Sequence, residues 1–260
     1  TNSLALLSDA GHMLSDMGAL SLSLFAFRMA RRPATLQSTY GYHRIEILAA
    51  LFNGLMLWLI VGIIFAAAYG RFFHPPMVDS QGMMIVAVVG LLVNLVAAAI
   101  LHGGHRHNLN LRGAFLHVIS DAVGSVGAIM AGLVMMTTGW YLADPLISFF
   151  IGVLILFSSW SLVRDSLSVL MQTVPKGIRL EEVRETIEAV DGVSAVHDLH
   201  IWAVTSDIFT LSAHAVVTQG GDFHGVLNGI EDTLKERYNI EHVTIQLETE
   251  SREDKEFKAF

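Results

Sequence analysis

The sequence has 260 residues, 53% of them hydrophobic and only 15% charged, with a mean hydropathy of +0.53, a balance that excludes an ordinary soluble domain and marks a membrane protein. A net charge of −8 with no long basic run excludes nucleic acid as a partner. The absence of cysteine excludes disulfides, thiolate metal ligation and thiol catalysis.

The first apolar run, at roughly residues 4–30, is long enough to cross a bilayer, which takes ~20 residues, yet it carries His12-Met13-Leu14-Ser15-Asp16 in its interior. A polar loop with Arg31, Arg32, His43 and Arg44 follows, and then apolar runs at roughly 45–70 and 81–101, each with one interior amide, Asn53 and Asn94, expected to bond between helices. His102, His105 and His107 sit in the next loop, where a flexible collector of metal and plain solvated histidines are both open readings. The run at roughly 114–138 repeats the earlier pattern as His117-Val118-Ile119-Ser120-Asp121 and continues with Gly124, Ala128 and Gly132 at a spacing that favours close helix packing. A fifth run at roughly 145–170 ends the membrane half. Seven of the eight arginines among Arg28, Arg31, Arg32, Arg44, Arg71, Arg106, Arg112 and Arg164 fall on one side if the spans alternate. By the positive-inside rule that side is cytoplasmic, along with everything after the fifth span, and Thr1 is outside. The opening Thr1-Asn2-Ser3-Leu4 has neither a start Met nor a cleavable signal pattern, so the sequence reads as beginning after a first span.

From about Pro175 the periodicity changes. Leu180, Val183, Ile187 and Val190 recur at helical spacing up to Asp191-Gly192, strands follow at 195–204 and 209–217 around the turn Thr205-Ser206-Asp207, then an amphipathic helix at about 223–237 and a strand at 242–248. The expected organisation is a helical transmembrane domain over 1–174, a small αββαβ domain over 175–250 and a charged tail over 251–260.

The paired motifs suggest the chemistry. Four residues make a little more than one helical turn, so the His and Asp of each copy share a face. Two such helices can present two imidazoles and two carboxylates to one point, a tetrahedral set for a borderline dication, zinc above all. A buried His or Asp that only hydrogen-bonds a neighbouring helix is the plain alternative. An Asp at mid-helix costs roughly 2.5–3.5 kcal/mol on insertion scales, and a repeated pair argues for function over accident. Asp9, three residues before His12, lies near the same face as a second acceptor for the imidazole or a point on the ion's path.

These residues resemble the cation diffusion facilitator family of zinc/proton antiporters. Ser3 to Asp16 is similar to that family's second span, His117 to Asp121 to its fifth, Tyr40-Gly41-Tyr42-His43-Arg44-Ile45-Glu46 to its first cytoplasmic loop, and Val196-His197-Asp198-Leu199-His200-Ile201-Trp202 to its C-terminal domain. The resemblance implies five spans of a six-span bundle, without the first, and a metallochaperone-like, ferredoxin-like cytoplasmic domain. It implies a homodimer in a bacterial inner membrane, with lipid, divalent metal and protons as partners, and Zn2+ as both cargo and regulator. His12, Asp16, His117 and Asp121 take the place of the family's transport ligands. His197, His214 and Glu248 take that of its cytoplasmic metal site, with His224 a possible addition, and Gln246 stands where some members carry a further His. His43 corresponds to a loop ligand, with His242 as its partner, while His200 and Trp202 are expected to pack within the domain or its dimer face. No catalytic residue is implied; an intramembrane metalloenzyme and a non-transporting metal sensor are the rival readings.

Overall fold

A computed structural model describes residues 1–102, 109–218 and 222–250, without side chains at 109–114 and 116; His105, His107 and the 251–260 tail lie outside the described residues. Five long helices come first: α1 (Leu4–Ala30), α2 (Arg44–Phe73), α3 (Ser80–His102), α4 (Leu109–Thr138) and α5 (Ala143–Leu170). Then follow α6 (Leu180–Glu188), β1 (Val193–Thr205), β2 (Ile208–Val217), α7 (Phe223–Tyr238) and β3 (Ile240–Glu248), the αββαβ order that the sequence implies. Among the described residues four helices are long and apolar enough to cross a membrane: α2, α3, α4 from His117, and α5. The difference from five expected spans lies in α1. Its 27 residues reach about 40 Å, ample for a bilayer, but Asp9, His12, Asp16 and Arg28 dilute its apolar character.

The chain divides into two compact units, one of residues 1–22 with 51–163 and one of residues 23–50 with those from 164 onward. The first unit is a helical bundle whose core mixes small residues, including Ala5, Ala87, Ala128 and Ala131, with larger ones such as Leu57, Met83, Met135 and Ile151. Large apolar side chains such as Leu14, Val96 and Phe157 point outward, as lipid requires. Small residues set the helix spacing. Gly132 approaches the Ser80 carbonyl of α3, where an added Cβ would sit 3.6 Å away, whereas Gly124 faces open space. Gly152 of α5 is tighter, because a Cβ there would lie 2.5 Å from the Phe65 ring of α2. Gly152→Ala is therefore expected to destabilise the bundle by about 1–3 kcal/mol through overpacking, read as a lower thermal midpoint in detergent.

In the second unit one buried cluster holds the small domain together: Val183 and Ile187 of α6, Val226, Ile230 and Leu234 of α7, and Leu211, Ala213 and Ala215 of the sheet. The sheet order is β1-β2-β3, with β1 and β2 antiparallel and β2 and β3 parallel. The parallel pair needs a crossover, which α7 supplies. Asp222 caps α7 by accepting from the His224 amide at 3.1 Å, and Asn239 ends it in the left-handed conformation at φ 55°. Gly192, at φ 93°, makes the turn from α6 into β1 that the Asp191-Gly192 pair suggests.

Candidate metal centre

The HxxxD spacing is local helix geometry, and α1 and α4 turn both copies toward one point. His12 Nε2 lies 3.7 Å from Asp16 and 3.5 Å from Asp121; His117 Nε2 lies 3.2 Å from Asp16 and 3.6 Å from Asp121. The two imidazole rings meet edge-on with centroids 5.5 Å apart. His12, His117 and Asp121 offer ligand atoms all within 4.8 Å of one another, and Asp16 joins them through its contacts with both rings. A tetrahedron with zinc-length arms of about 2.0 Å has edges of about 3.3 Å, so these separations are close to what one ion would impose. Two carboxylates with neutral imidazoles carry the charge that cancels a dication. The site is open on one side: the His117 side chain is 46% exposed against 13% for His12.

A cavity of about 310 Å3 adjoins the cluster, lined by Asp9, His12, His117 and Asp121 with Ser120 of α4 and Ser158 of α5. Asp9 thus faces the same space as the cluster. Beside it, Ser15 approaches Asn53 of α2 at 3.5 Å, the interhelical contact expected of that amide. Sequence reasoning missed Asp144 at the start of α5. It is fully buried and accepts from Ser3 Oγ at 2.6 Å and from the Leu4 and Ala5 amides at 2.7 and 3.2 Å, so it caps α1 from another helix. Arg71 of α2 lies 3.4 Å from the same carboxylate and donates to the Asn2 carbonyl at 2.7 Å. This network fixes the start of the helix that carries His12 and Asp16.

The second unit holds another three-residue group, His197, His214 and Glu248, again within 4.8 Å. His197 and His214 are opposite each other in the β1–β2 register, and Glu248, diagonal to His214 across the parallel pair, reaches both rings at 3.3 Å. A nearly buried carboxylate between two imidazoles is a donor set that suits a zinc-like ion. Gln246 donates to Glu248 at 2.6 Å, so it orients that carboxylate in the place where a further His would stand. A neighbouring group, Asp198, went unassigned in the sequence. The β1 irregularity between His197 and His200 holds it at φ 48°, where its carboxylate lies 3.9 Å from His214 and 2.8 Å from His200. Its presence in the Val196-to-Trp202 motif was the available signal.

The loop residues behave differently. His242 is engaged by Tyr40, whose hydroxyl lies 3.4 Å from Nε2, and no hydrogen bond joins it to His43 among the described residues. The Tyr40 ring also meets that imidazole edge-on, with centroids 5.4 Å apart. His224 serves α7 through its backbone amide, and its ring is outside the His197 group. His102 packs against Phe115 at 6.0 Å, His200 is mostly exposed, and Trp202 is half-buried opposite Thr210.

Residues 1–171 match the cation efflux transmembrane domain, and residues 175–250 match the cytoplasmic domain of cation efflux proteins. A cadmium, cobalt and zinc/H(+)-K(+) antiporter of Bacillus subtilis is 46% identical over 256 residues, covering 96% of this chain and 82% of that one. The zinc transporter ZitB of Escherichia coli is 41% identical over 251 residues, 95% of this chain and 80% of the relative. The solved metal-bound C-terminal domain of the CzcD transporter from Cupriavidus metallidurans is 40% identical, covers 27% of this chain and 99% of that one, and superposes with a TM-score of 0.26.

Proposed function

Because this chain belongs to the cation efflux family, the cation diffusion facilitators, we propose that it exports Zn2+ from the cytoplasm in exchange for protons, with His12, Asp16, His117 and Asp121 as the ligands of the moving ion. As a family member it is an integral membrane metal-efflux transporter with a cytoplasmic C-terminal domain, and not an enzyme. The observation that supports the finer reading is the set of imidazole-to-carboxylate separations of 3.2–3.7 Å between α1 and α4. Every ligand must be deprotonated to bind, so protons and metal compete for the same lone pairs. Protons arriving from an acidic outer side eject the ion, and a more alkaline cytoplasm restores the ligands. Four protein ligands also leave no coordination position for an activated water, which disfavours a hydrolytic metalloenzyme. Relatives are named for cadmium, cobalt and zinc, and the two-His, two-Asp donor set favours zinc among them.

In the cytoplasmic domain His197, His214 and Glu248 would hold a regulatory ion. Acidic domains without metal repel, and an ion that favours their association shifts the transporter's conformational equilibrium by its differential affinity for the two states. The protein then works as a homodimer, in the inner membrane of a bacterium as its Bacillus and Escherichia relatives suggest.

Zinc flux into everted vesicles under an applied pH gradient tests this reading. Uptake is expected to need an acidic lumen, and to fall when the loading side is acidified below about pH 6.5, where histidine ordinarily takes up its proton. Because a protonated imidazole cannot ligate, the loss runs toward low pH on that side. Zinc binding without gradient-driven flux would instead make the protein a sensor.

A further inference from the structure

His12 uses one ring nitrogen in the cluster. Its Nε2 is the atom 3.5 Å from Asp121 and 3.7 Å from Asp16, which leaves Nδ1 on the other side of the ring. That Nδ1 is buried and has no hydrogen-bond partner among the described residues. The same is true of the hydroxyl of Ser8, a residue with no exposed surface. Ser8 is one turn before His12 on α1, so the two side chains share a face with Cβ atoms about 6 Å apart. Helical side chains lean toward the N-terminus, and this lays the imidazole over the turn that Ser8 begins. Two buried polar atoms without partners are each costly, and a neutral Nδ1–H needs an acceptor of the kind a hydroxyl provides.

We propose that Ser8 is a positioning residue for the metal centre: its hydroxyl accepts the Nδ1–H of His12, directly or through one water, and holds the tautomer whose Nε2 lone pair faces the ion. The inference rests on the reading of His12 as a ligand. Metal-bound histidines regularly donate their other nitrogen to an outer acceptor, which fixes ring orientation and raises ligand basicity. Asp9 is the competing acceptor. It is half-buried and lines the cavity beside the ligands, whereas Nδ1 and the Ser8 hydroxyl are both sealed from that space.

The test uses the full chain carrying His197→Ala and His214→Ala, so that added Co2+ reports on the membrane centre through its ligand-field absorption. Ser8→Ala is expected to weaken Co2+ binding about 10- to 100-fold, with the metal-free thermal midpoint unchanged. Ser8→Cys, nearly equal in size with only a weak sulfur acceptor, falls between. In 15N-histidine spectra of the metal-free protein, with His12 assigned by its loss in His12→Ala, the parent shows the Nδ1–H tautomer alone and Ser8→Ala a mixture. Unchanged affinity and tautomer in Ser8→Ala overturn the proposal, as does an Asp9→Asn variant that alone reproduces the loss. If His12→Ala itself leaves Co2+ binding intact, the reading of the centre fails and takes this inference with it; if His12→Ala abolishes binding and Ser8→Ala does not, this inference alone fails.

Discussion

Asp121→Asn is expected to lower zinc transport on the order of 100-fold or more while the metal-free protein keeps its thermal midpoint. Asp121, like Asp16, is in contact with both imidazoles, at 3.5 and 3.6 Å. Asparagine has the same shape and hydrogen-bonds in the same place, so packing is preserved. It lacks the negative charge, and a dication then faces one carboxylate instead of two. Zinc bound by four protein ligands is held by about 10–16 kcal/mol, so one ligand's share is about 3 kcal/mol, or about two orders of magnitude in affinity. Uptake into proteoliposomes and calorimetric zinc titration both read this. A variant that transports within about threefold of the parent removes Asp121 from the ligand set.

Asp144→Ala should show the reverse pattern, a large loss of stability with the four residues of the proposed metal centre untouched. Its carboxylate has no exposed surface, accepts from Ser3 and from two amides at the first turn of α1, and faces Arg71 at 3.4 Å. Removing it leaves two amides without their acceptor and Arg71 with only its Asn2 contacts, and breaking a largely buried pair in this way costs about 3–5 kcal/mol. Unfolding of the detergent-solubilised protein should shift down accordingly. Asp144→Asn, which keeps an acceptor and loses the charge, should lie between. An alanine variant as stable as the parent would show that the Asp144 network holds nothing together.

How much of this was legible depends on the range of the signal. The His12–Asp16 and His117–Asp121 pairs each span a little more than one helical turn, so spacing alone put each pair on a face, and their repetition suggested that the two faces meet. The αββαβ domain was equally readable, because its turns and periodicity are written in neighbouring residues. Asp144 was not, since its partners Leu4 and Ala5 are 140 and 139 residues away and an Asp before a Pro reads as an ordinary helix start. The first helix is the least apolar of the five. A helix that carries Asp9, His12 and Asp16 close together on one face has the length of a span with a diluted apolar composition. Tyr40 as the neighbour of His242 was not legible either, because sequence carries no register between a loop and a strand. Asp198 was hidden by an irregularity: simple alternation along β1 would not turn its carboxylate toward His214.

The carboxylate that closes the first turn of α1 also sets a timetable for biogenesis. A ribosome adding about 5–20 residues per second needs on the order of ten seconds to go from Leu4 to the acid 140 positions later. Through most of that interval the nascent α1 has neither its latch nor the opposing imidazole and carboxylate of α4, and it is the least apolar of the five long helices. The least oily of these five helices is therefore made well before its latch and secured late, so it must stay sheltered by the insertion machinery until α5 emerges.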